Sequence, residues 1–264
     1  MIPHTDHAGT QRPQKLVHST LRSMCALALM AKAPRAGAVK TRLVPPLTPD
    51  EAATLSLCFL RDLATNIAEV SVGERVDGIV IYTPAGEEEA FKGALPRGFG
   101  LLPQRGESLG ERVLHGAEDL QASGYGSFCL INADSPTLPR SLLTKAAAAL
   151  ERPGDRVVLG PATDGGYYLI GLKRAHARLF THIDWSTERV FTQTIERAAE
   201  IGLEVKTLPS WYDVDDVASL RRLCDELFSS NENPTGGGLI GFRAPYTRDY
   251  LTRVKGGWRA RGII

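Results

Sequence analysis

Segments with the character of buried strands alternate with segments of helical periodicity along most of this 264-residue chain. The run "CALALMAK" (25–32) is continuously apolar, which is typical of a parallel strand covered on both faces. The following segment repeats large apolar residues every four positions from Leu55 to Ile67, which predicts an amphipathic helix. Because this alternation continues to residue 228, the sequence predicts an α/β fold with a single doubly wound, mostly parallel sheet.

The rest of the chain continues this alternation of predicted strands and helices. Further strands are predicted at 76–84, 100–105, 127–136 and 203–209, and as two strands joined by a glycine turn within 156–172. Helices are predicted at 48–70, 108–121, 139–151, 187–201 and 216–228. In such sheets the ligand binds where loops leave the carboxyl ends of the strands. The candidate functional residues are therefore sought in those loops.

Composition and charge exclude several classes of protein. The net charge of the chain is +1. Because the first 23 residues carry a net charge of +2 and the last 36 carry +4, residues 24–228 have a net charge of about −5. This part of the chain therefore lacks the basic face that nucleic-acid binding needs. No apolar stretch is long enough to span a membrane. The four cysteines form no CxxC pair, which is typical of reduced, buried thiols. These features predict a cytoplasmic protein.

Composition also suggests the domain boundaries. Residues 1–23 read as an N-terminal extension before Met24, residues 24–228 as one domain, and residues 229–264 as a loosely attached, glycine-rich, basic tail. The tail matches G-x-G-x-x-G literally at Gly236, Gly238 and Gly241. We expect no dinucleotide site there, because no strand is predicted to feed the glycine turn.

A cluster of basic residues follows the first strand in "MAKAPRAGAVKTRL". Lys32, Arg35, Lys40 and Arg42 surround Gly37, although the Walker pattern G-x-x-x-x-G-K-[ST] is not met. Such a loop can hold a di- or triphosphate through charge-assisted hydrogen bonds. The alternative is a solvated basic loop. For a surface loop of this kind, neutralising Lys40 and Arg42 is expected to weaken nucleotide binding and leave stability nearly unchanged.

Carboxylates follow two of the predicted strands. Asp134 comes directly after the fourth strand, and "WYDVDD" places Asp213, Asp215 and Asp216 after the last one. Carboxylates together with bound phosphates are the ligands that Mg²⁺ or Mn²⁺ takes, so Asp134 and Asp215 are the candidate metal ligands. The alternative role for these aspartates is helix capping. For Asp134, capping and metal binding are equally favoured, and for Asp216 capping is preferred.

Two further segments supply candidate substrate contacts. In "ATDGGYYLIG", Asp164 is a candidate to bind or deprotonate a substrate hydroxyl, and the glycines permit close approach. In "DWST", Trp185 is a candidate stacking platform for a sugar or base. The alternative for the Asp164 segment is an ordinary hairpin turn, and the alternative for Trp185 is a place in the hydrophobic core. The candidate substrate-binding residues are Asp164, Gly165, Gly166, Tyr167, Trp185, Ser186 and Thr187.

The segment "GESLG" (106–110) also matches the G-x-S-x-G nucleophile elbow of serine hydrolases. Ser108 would be the nucleophile, with Asp134 or Asp164 and then His176 or His182 following in triad order. Capping is the favoured alternative, because Ser108 and Glu111 form an S-x-x-E box.

Six motifs together resemble the radical-SAM/selenodomain-associated transferase family, also described as arsenosugar-biosynthesis-type glycosyltransferases, over residues 25 to about 228. They are "MAKAPRAGAVKTRL", "GESLGERV", "INADSPTLP", "LGPATDGGYYLIGL", "IDWST" and "DVDDVASL". The resemblance implies a GT-A-like nucleotide-diphosphosugar transferase fold, shared with phospholactate guanylyltransferases. It implies that the Lys/Arg loop binds phosphate and that Asp134 and Asp215 bind metal. One aspartate stands where many glycosyltransferases have D-x-D, so metal dependence stays open.

The sequence therefore predicts a metal-assisted, nucleotide-dependent transferase. The first hypothesis is a glycosyltransferase that uses a nucleotide diphosphosugar and a small-molecule acceptor, with Mg²⁺ or Mn²⁺ and with Asp134, Asp164 and Lys40 as catalytic residues. Alternatives are a nucleotidyltransferase that uses a nucleoside triphosphate and releases pyrophosphate, a serine hydrolase, and a non-catalytic nucleotide-binding protein. The donor base, sugar, acceptor and oligomeric state stay open.

Overall fold

The computed structural model, which describes residues 21, 23–71, 75–229 and 238–263, has a seven-stranded sheet at its centre. The strands are β1 (Cys25–Lys32), β2 (Val76–Thr83), β3 (Gly100–Pro103), β4 (Ser127–Asn132), β5 (Arg156–Pro161), β6 (Tyr167–Leu172) and β7 (Glu204–Thr207). Their order is β3-β2-β1-β4-β6-β5-β7. Strand β6 runs antiparallel to β4 and β5, while the other pairings are parallel. The prediction of one mostly parallel sheet is confirmed.

Helices cover both faces of the sheet. They are α1 (Pro49–Ser71), α2 (Leu109–Ala122), α3 (Arg140–Glu151), α4 (Val190–Glu200), α5 (Val217–Phe228) and α6 (Pro245–Ala260). Successive residues of β1 point to opposite faces, so Leu27 and Leu29 pack with α1, α3, α5 and α6, whereas Ala26 and Ala28 pack with α2 and α4. Within the described residues, no helix is long and apolar enough to cross a bilayer.

A local signal places the start of α1 where the sequence predicts it, whereas α4 begins three residues later than predicted, at Val190. Thr48 and Glu51 form the capping box of α1: the Glu51 N–H donates to Thr48 Oγ1 at 3.2 Å, and the Thr48 N–H donates to Glu51 Oε2 at 2.8 Å. The predicted glycine turn joins β5 to β6. There Gly165 has φ +92°, and a Cβ on it would lie 2.3 Å from the Glu188 carbonyl oxygen, so a side chain is excluded.

The prediction of a loosely attached tail is wrong for its described part. Helix α6 packs on α1, and its Trp258 is almost fully buried. The buried Asp62 carboxylate caps the N-terminus of α6, accepting the Tyr246 and Thr247 N–H groups at 2.9 and 2.8 Å. Sequence periodicity missed this helix because the residues around it are rich in glycine and basic side chains, and only its packing on α1 reveals its apolar face.

Parts of the predicted termini lie outside the described residues. These parts include residues 1–20 of the N-terminal extension and Gly236 of the G-x-G-x-x-G match. Gly238 and Gly241 are described, and they precede α6 without following a strand of the sheet. The spacing there does not have the strand–turn–helix context of a dinucleotide site among the described residues.

Candidate active site

A cavity of about 810 Å³ opens at the carboxyl ends of the strands. Its basic lining residues are Lys32, Lys40, Arg42 and Arg112, and its acidic lining residues are Asp134, Asp164, Glu188, Asp213 and Asp215. These groups come from opposite ends of the sequence and meet at the edge of the sheet where ligands bind in open α/β folds. The structure thus brings the candidate cations and carboxylates together in one place.

Lys40 lies at the centre of this arrangement. Its Nζ lies 2.5 Å from Asp134 Oδ1 and 3.0 Å from Asp215 Oδ1, and it donates to the Val214 carbonyl oxygen at 2.7 Å. The side chain is only 4% exposed. Burial is the largest single influence on its pKa and lowers it, but Asp134 and Asp215 together outweigh burial and raise the pKa. The ammonium is therefore held in its charged form.

The expectation of a surface loop at Lys40 is wrong. Lys40 is buried, and its backbone has φ 49° and ψ 38°, a left-handed conformation that costs a non-glycine residue about 1–2 kcal/mol. Ser186, which also lines the cavity, has φ 65°. Strained backbone of this kind concentrates at functional sites. Lys40 is therefore held by contacts within the folded chain, and it also lines the cavity.

Backbone hydrogen bonds hold the acidic segments in place. The Val214 N–H donates to the Asp134 carbonyl oxygen at 2.9 Å, which ties the loop after β4 to the segment after β7. The Thr163 N–H donates to the Trp211 carbonyl oxygen at 3.1 Å, which ties the β5–β6 turn to the same segment. Three distant stretches of sequence therefore present their carboxylates to one cavity.

The other residues of the basic loop divide into two groups. Arg42 donates to Asp215 Oδ2 at 2.6 Å and is 74% exposed, and Lys32 lines the cavity with an exposed side chain. Arg35 instead pairs with Glu87 and does not line the cavity. Gly37 has φ +77° and lies outside the lining as well. The phosphate-binding prediction thus has geometric support for Lys32, Lys40 and Arg42, but not for Arg35 or Gly37.

Asp134 and Asp215, the predicted metal ligands, lie on either side of the Lys40 ammonium. Both point one oxygen at the same position, which the Lys40 ammonium takes in this structure. Mg²⁺ commonly uses one or two carboxylates and completes its shell with water and phosphate oxygens. No cluster of three or more His, Cys, Asp or Glu side chains in the described part of the chain is arranged to hold a metal. A metal here would therefore depend on ligands from the substrate.

Asp213 also lines the cavity, although it is not one of the predicted metal ligands. Burial raises its pKa to about 7, with further contributions from Asp164, Asp215 and Asp134. The carboxyl group therefore takes up a proton near neutral pH. Its signal in the sequence was the triple aspartate of "WYDVDD", but the sequence could not show that Asp213 shares a cavity with Asp164.

Most of the predicted substrate contacts also line the cavity. They are Asp164, Gly166, Tyr167, Trp185, Ser186 and Thr187, whereas Gly165 packs behind the turn against Glu188. Asp164 Oδ1 accepts the Gly166 N–H at 2.9 Å, so this carboxylate also stabilises the turn. Trp185 packs on Gly110, where a Cβ would lie 2.4 Å from the indole Nε1. Trp185 is thus both a packing residue and a cavity wall.

The competing interpretations of Ser108, Asp134 and Asp216 are also resolved. Ser108 caps α2: its Oγ accepts the Glu111 N–H at 3.2 Å, and it lies outside the cavity lining. His176 pairs with Asp155 instead of Ser108. Asp216 caps α5 with Ser219, as the capping interpretation predicts. Asp134 caps no described helix, because α3 begins six residues later with Pro139 at its N-cap.

Comparison with known proteins identifies similar chains. A family model described as "Uncharacterized protein conserved in bacteria (DUF2064)" matches residues 66–187. A solved structure from Desulfovibrio desulfuricans G20, provisionally described as a nucleotide-diphospho-sugar transferase, is 30% identical to this chain. That similarity covers 89% of this chain and 97% of the other, with a TM-score of 0.75.

Two curated relatives are similar at lower identity. A phosphoenolpyruvate guanylyltransferase of Sphaerobacter thermophilus is 28% identical over 127 residues, which is 48% of this chain and 58% of that protein. The match thus spans little more than half of that relative's length. A 2-phospho-L-lactate guanylyltransferase of Methanothermobacter thermautotrophicus is 27% identical over 216 residues, covering 82% of this chain and 85% of that protein.

Proposed function

This chain belongs to the DUF2064 family, and on that premise we propose that it transfers a glycosyl group from a nucleotide diphosphosugar to a small-molecule acceptor. Its relatives are transferases, and the chain is a nucleotide-dependent transferase. The glycosyl donor is favoured because the D. desulfuricans protein, described as a nucleotide-diphospho-sugar transferase, is similar over nearly the full length of both chains. The narrower radical-SAM and arsenosugar association stays a prediction.

One observation carries the proposal. Lys40 and Arg42 meet Asp134 and Asp215 in a single cavity at the carboxyl edge of the sheet. A diphosphate leaving group gains negative charge as its bond to the sugar breaks, and positioned cations stabilise that charge. A cavity of about 810 Å³ is also within the size range of small-molecule and cofactor sites.

The residues have distinct roles in this proposal. Lys32, Lys40 and Arg42 bind the diphosphate, and Asp134 and Asp215 would hold Mg²⁺ or Mn²⁺, which supplies further charge neutralisation when bound. Lys40 contacts both carboxylates and lines the cavity in which the diphosphate would bind. Asp164 and Asp213 line the same cavity and would accept a proton from an acceptor hydroxyl.

Nucleotidyl transfer is the second candidate. Both curated relatives are guanylyltransferases, and the same cations and carboxylates could bind a nucleoside triphosphate. The two reactions differ in their products. Glycosyl transfer releases a nucleoside diphosphate, whereas nucleotidyl transfer releases pyrophosphate and leaves a nucleotide on the acceptor.

Nucleotide binding can be tested before the acceptor is known. Thermal shift against a panel of nucleotides and nucleotide sugars, with and without Mn²⁺, is expected to give a rise in Tm with a nucleotide sugar that is larger when metal is present. Asp134→Asn should abolish the additional rise in Tm that the metal produces. The matched control is Asp155→Asn, because Asp155 pairs with His176 away from the cavity.

Turnover then separates the two candidate reactions. We expect a nucleoside diphosphate from the wild type and a large loss with Asp134→Asn. Pyrophosphate as the product would replace glycosyl transfer with nucleotidyl transfer. Unchanged nucleotide binding and turnover in Asp134→Asn would contradict the proposed site as a whole.

A further inference from the structure

The segments that line the cavity differ in charge. Lys32 after β1 and Arg112 on α2 are basic, and Gln104 after β3 is uncharged. Asp164, Glu188 and Asp213 lie on the β5–β6 turn, the segment before α4 and the segment after β7, which together we call the acceptor end of the cavity. Among the described lining residues, these three segments contribute no lysine or arginine. Nucleotide phosphates therefore favour the basic segments and leave the acceptor end for the acceptor.

The carboxylates at the acceptor end are not neutralised. Asp134 and Asp215 have Lys40 between them, but Glu188 and Asp213 form no ion pair with any described cation. Asp164 accepts a backbone N–H from Gly166 and likewise has no described cationic partner. Asp164 and Glu188, joined by Asp213 when it is ionised, make the potential of this space negative, so it repels an anion and attracts groups that donate hydrogen bonds.

Aromatic side chains line the cavity beside these carboxylates, and one of them, Trp185, also packs on Gly110 of α2. The Tyr167 and Trp185 rings meet edge to face, with 6.4 Å between centroids and an interplanar angle of 79°. The Tyr167 hydroxyl is buried and has no hydrogen-bond partner among the described residues. Aromatic walls combined with oxygen acceptors suit a molecule that has both apolar C–H faces and hydroxyl donors.

We propose that the acceptor is an uncharged, hydroxyl-bearing molecule such as a sugar or polyol, and that acceptors bearing phosphate are excluded. This inference rests on the proposed function. In the reaction, an acceptor hydroxyl oxygen forms a bond to the anomeric carbon of the donor sugar as the bond from that carbon to the diphosphate breaks. The hydroxyl proton passes to a carboxylate at the acceptor end, and the nucleoside diphosphate leaves.

The inference separates this chain from the relatives with named acceptors. Phosphoenolpyruvate and 2-phospho-L-lactate, named in the descriptions of those relatives, both carry a phosphate and a carboxylate. A site for such anions needs cationic donors around them. Here the segments that line the acceptor end supply carboxylates instead.

Binding of these two anions provides the first test. Calorimetry would measure phosphoenolpyruvate and 2-phospho-L-lactate binding to the full chain loaded with the nucleotide found by thermal shift. The variants are Glu188→Lys and, as a control with the same change of charge, Asp225→Lys, since Asp225 is exposed on α5 and outside the cavity. We expect no saturable binding to the wild type or the control at millimolar concentrations. Glu188→Lys should gain affinity by about tenfold or more.

Turnover with paired acceptors provides the second test. Each pair differs by one phosphate, for example glucose with glucose 6-phosphate and glycerol with glycerol 3-phosphate. The neutral member is expected to have the higher kcat/KM by at least about tenfold. Saturable binding of either anion to the wild type, or preference for the phosphorylated acceptors, would overturn the inference. A chain that binds no nucleotide at all would instead contradict the proposed function, so the two failures are distinguishable.

Discussion

Substitution of Lys40 by methionine is the sharpest probe of the site. Methionine keeps an unbranched apolar chain in the buried position and adopts the same left-handed backbone at the same cost, so the change removes mainly the ammonium. That ammonium donates to the Val214 carbonyl oxygen and contacts Asp134 and Asp215. The substitution therefore removes the cation between Asp134 and Asp215, while Arg42 keeps its contact with Asp215.

The expected loss of stability follows from burial. Removing one partner of a buried ion pair costs about 3–5 kcal/mol. Asp134 and Asp215 keep 40% and 28% of their side-chain exposure, so water replaces part of the lost interaction. We therefore expect the free energy of unfolding to fall by about 2–3 kcal/mol. For a chain of this size the Tm should fall by roughly 4–12 °C.

Urea denaturation and thermal unfolding of the wild type, Lys40→Met and Lys32→Met would measure this loss. Lys32 is the matched control because it lines the same cavity but is exposed and forms no ion pair with a described residue. Its substitution should change stability by no more than about 0.5 kcal/mol. Adding Mn²⁺ without nucleotide should raise the Tm of Lys40→Met more than that of the wild type, because the metal can replace the lost ammonium between the carboxylates.

Equal stability of the two lysine variants would refute this reasoning. It would mean that the Lys40 ammonium is solvated and does not hold the carboxylates together. A large loss in Lys40→Met without any gain from Mn²⁺ would retain the structural role but contradict the metal-binding prediction for Asp134 and Asp215.

Three other predictions follow from the described contacts. Burial raises the pKa of Asp62 to about 6, above the 3.8 of a free aspartate, so the folded chain binds this proton more tightly than the unfolded chain. The contribution of Asp62 to the free energy of unfolding should therefore rise by up to about 3 kcal/mol as pH falls from about 7 to about 4. Urea titrations should show that this free energy depends less on pH in Asp62→Asn than in the wild type. Trp258→Ala should lower stability by about 3–5 kcal/mol, because Trp258 is 1% exposed; a fall below about 1 kcal/mol would mean that α6 is not docked. Ser108→Ala should cost about 1 kcal/mol through loss of the α2 cap and keep full transferase activity, whereas loss of activity at unchanged stability would restore the hydrolase alternative.

Much of the fold could be predicted because its signals are local. The helix caps at Thr48, Ser108 and Asp216 lie within four residues of the groups they satisfy. Most strands are recognisable as apolar runs of four to eight residues, although β7 is short and polar. Strand–helix alternation then restricts the sheet to a few topologies. The predicted and observed ends of β1 are the same, and the glycine turn between β5 and β6 lies where it was expected.

The candidate site was only partly predictable. Sequence position identified Lys40, Asp134 and Asp215 as candidates, since each follows a predicted strand. It could not separate Lys40 from Arg35, which belongs to the same loop but pairs with Glu87 outside the cavity. It also could not identify helix α6, whose apolar residues matter only where they meet α1.

The sequence by itself determined most of the secondary structure, helix α6 excepted, and the types of side chain available to the site, because periodicity, capping and turn chemistry act over a few neighbouring residues. Only the tertiary structure decided which of those side chains meet. Lys40 and Asp215 are 175 residues apart, and their contact depends on the parallel order of the strands that precede them. Burial, and with it the difference between a solvated lysine and a buried counter-ion, is a property of packing that local sequence does not encode.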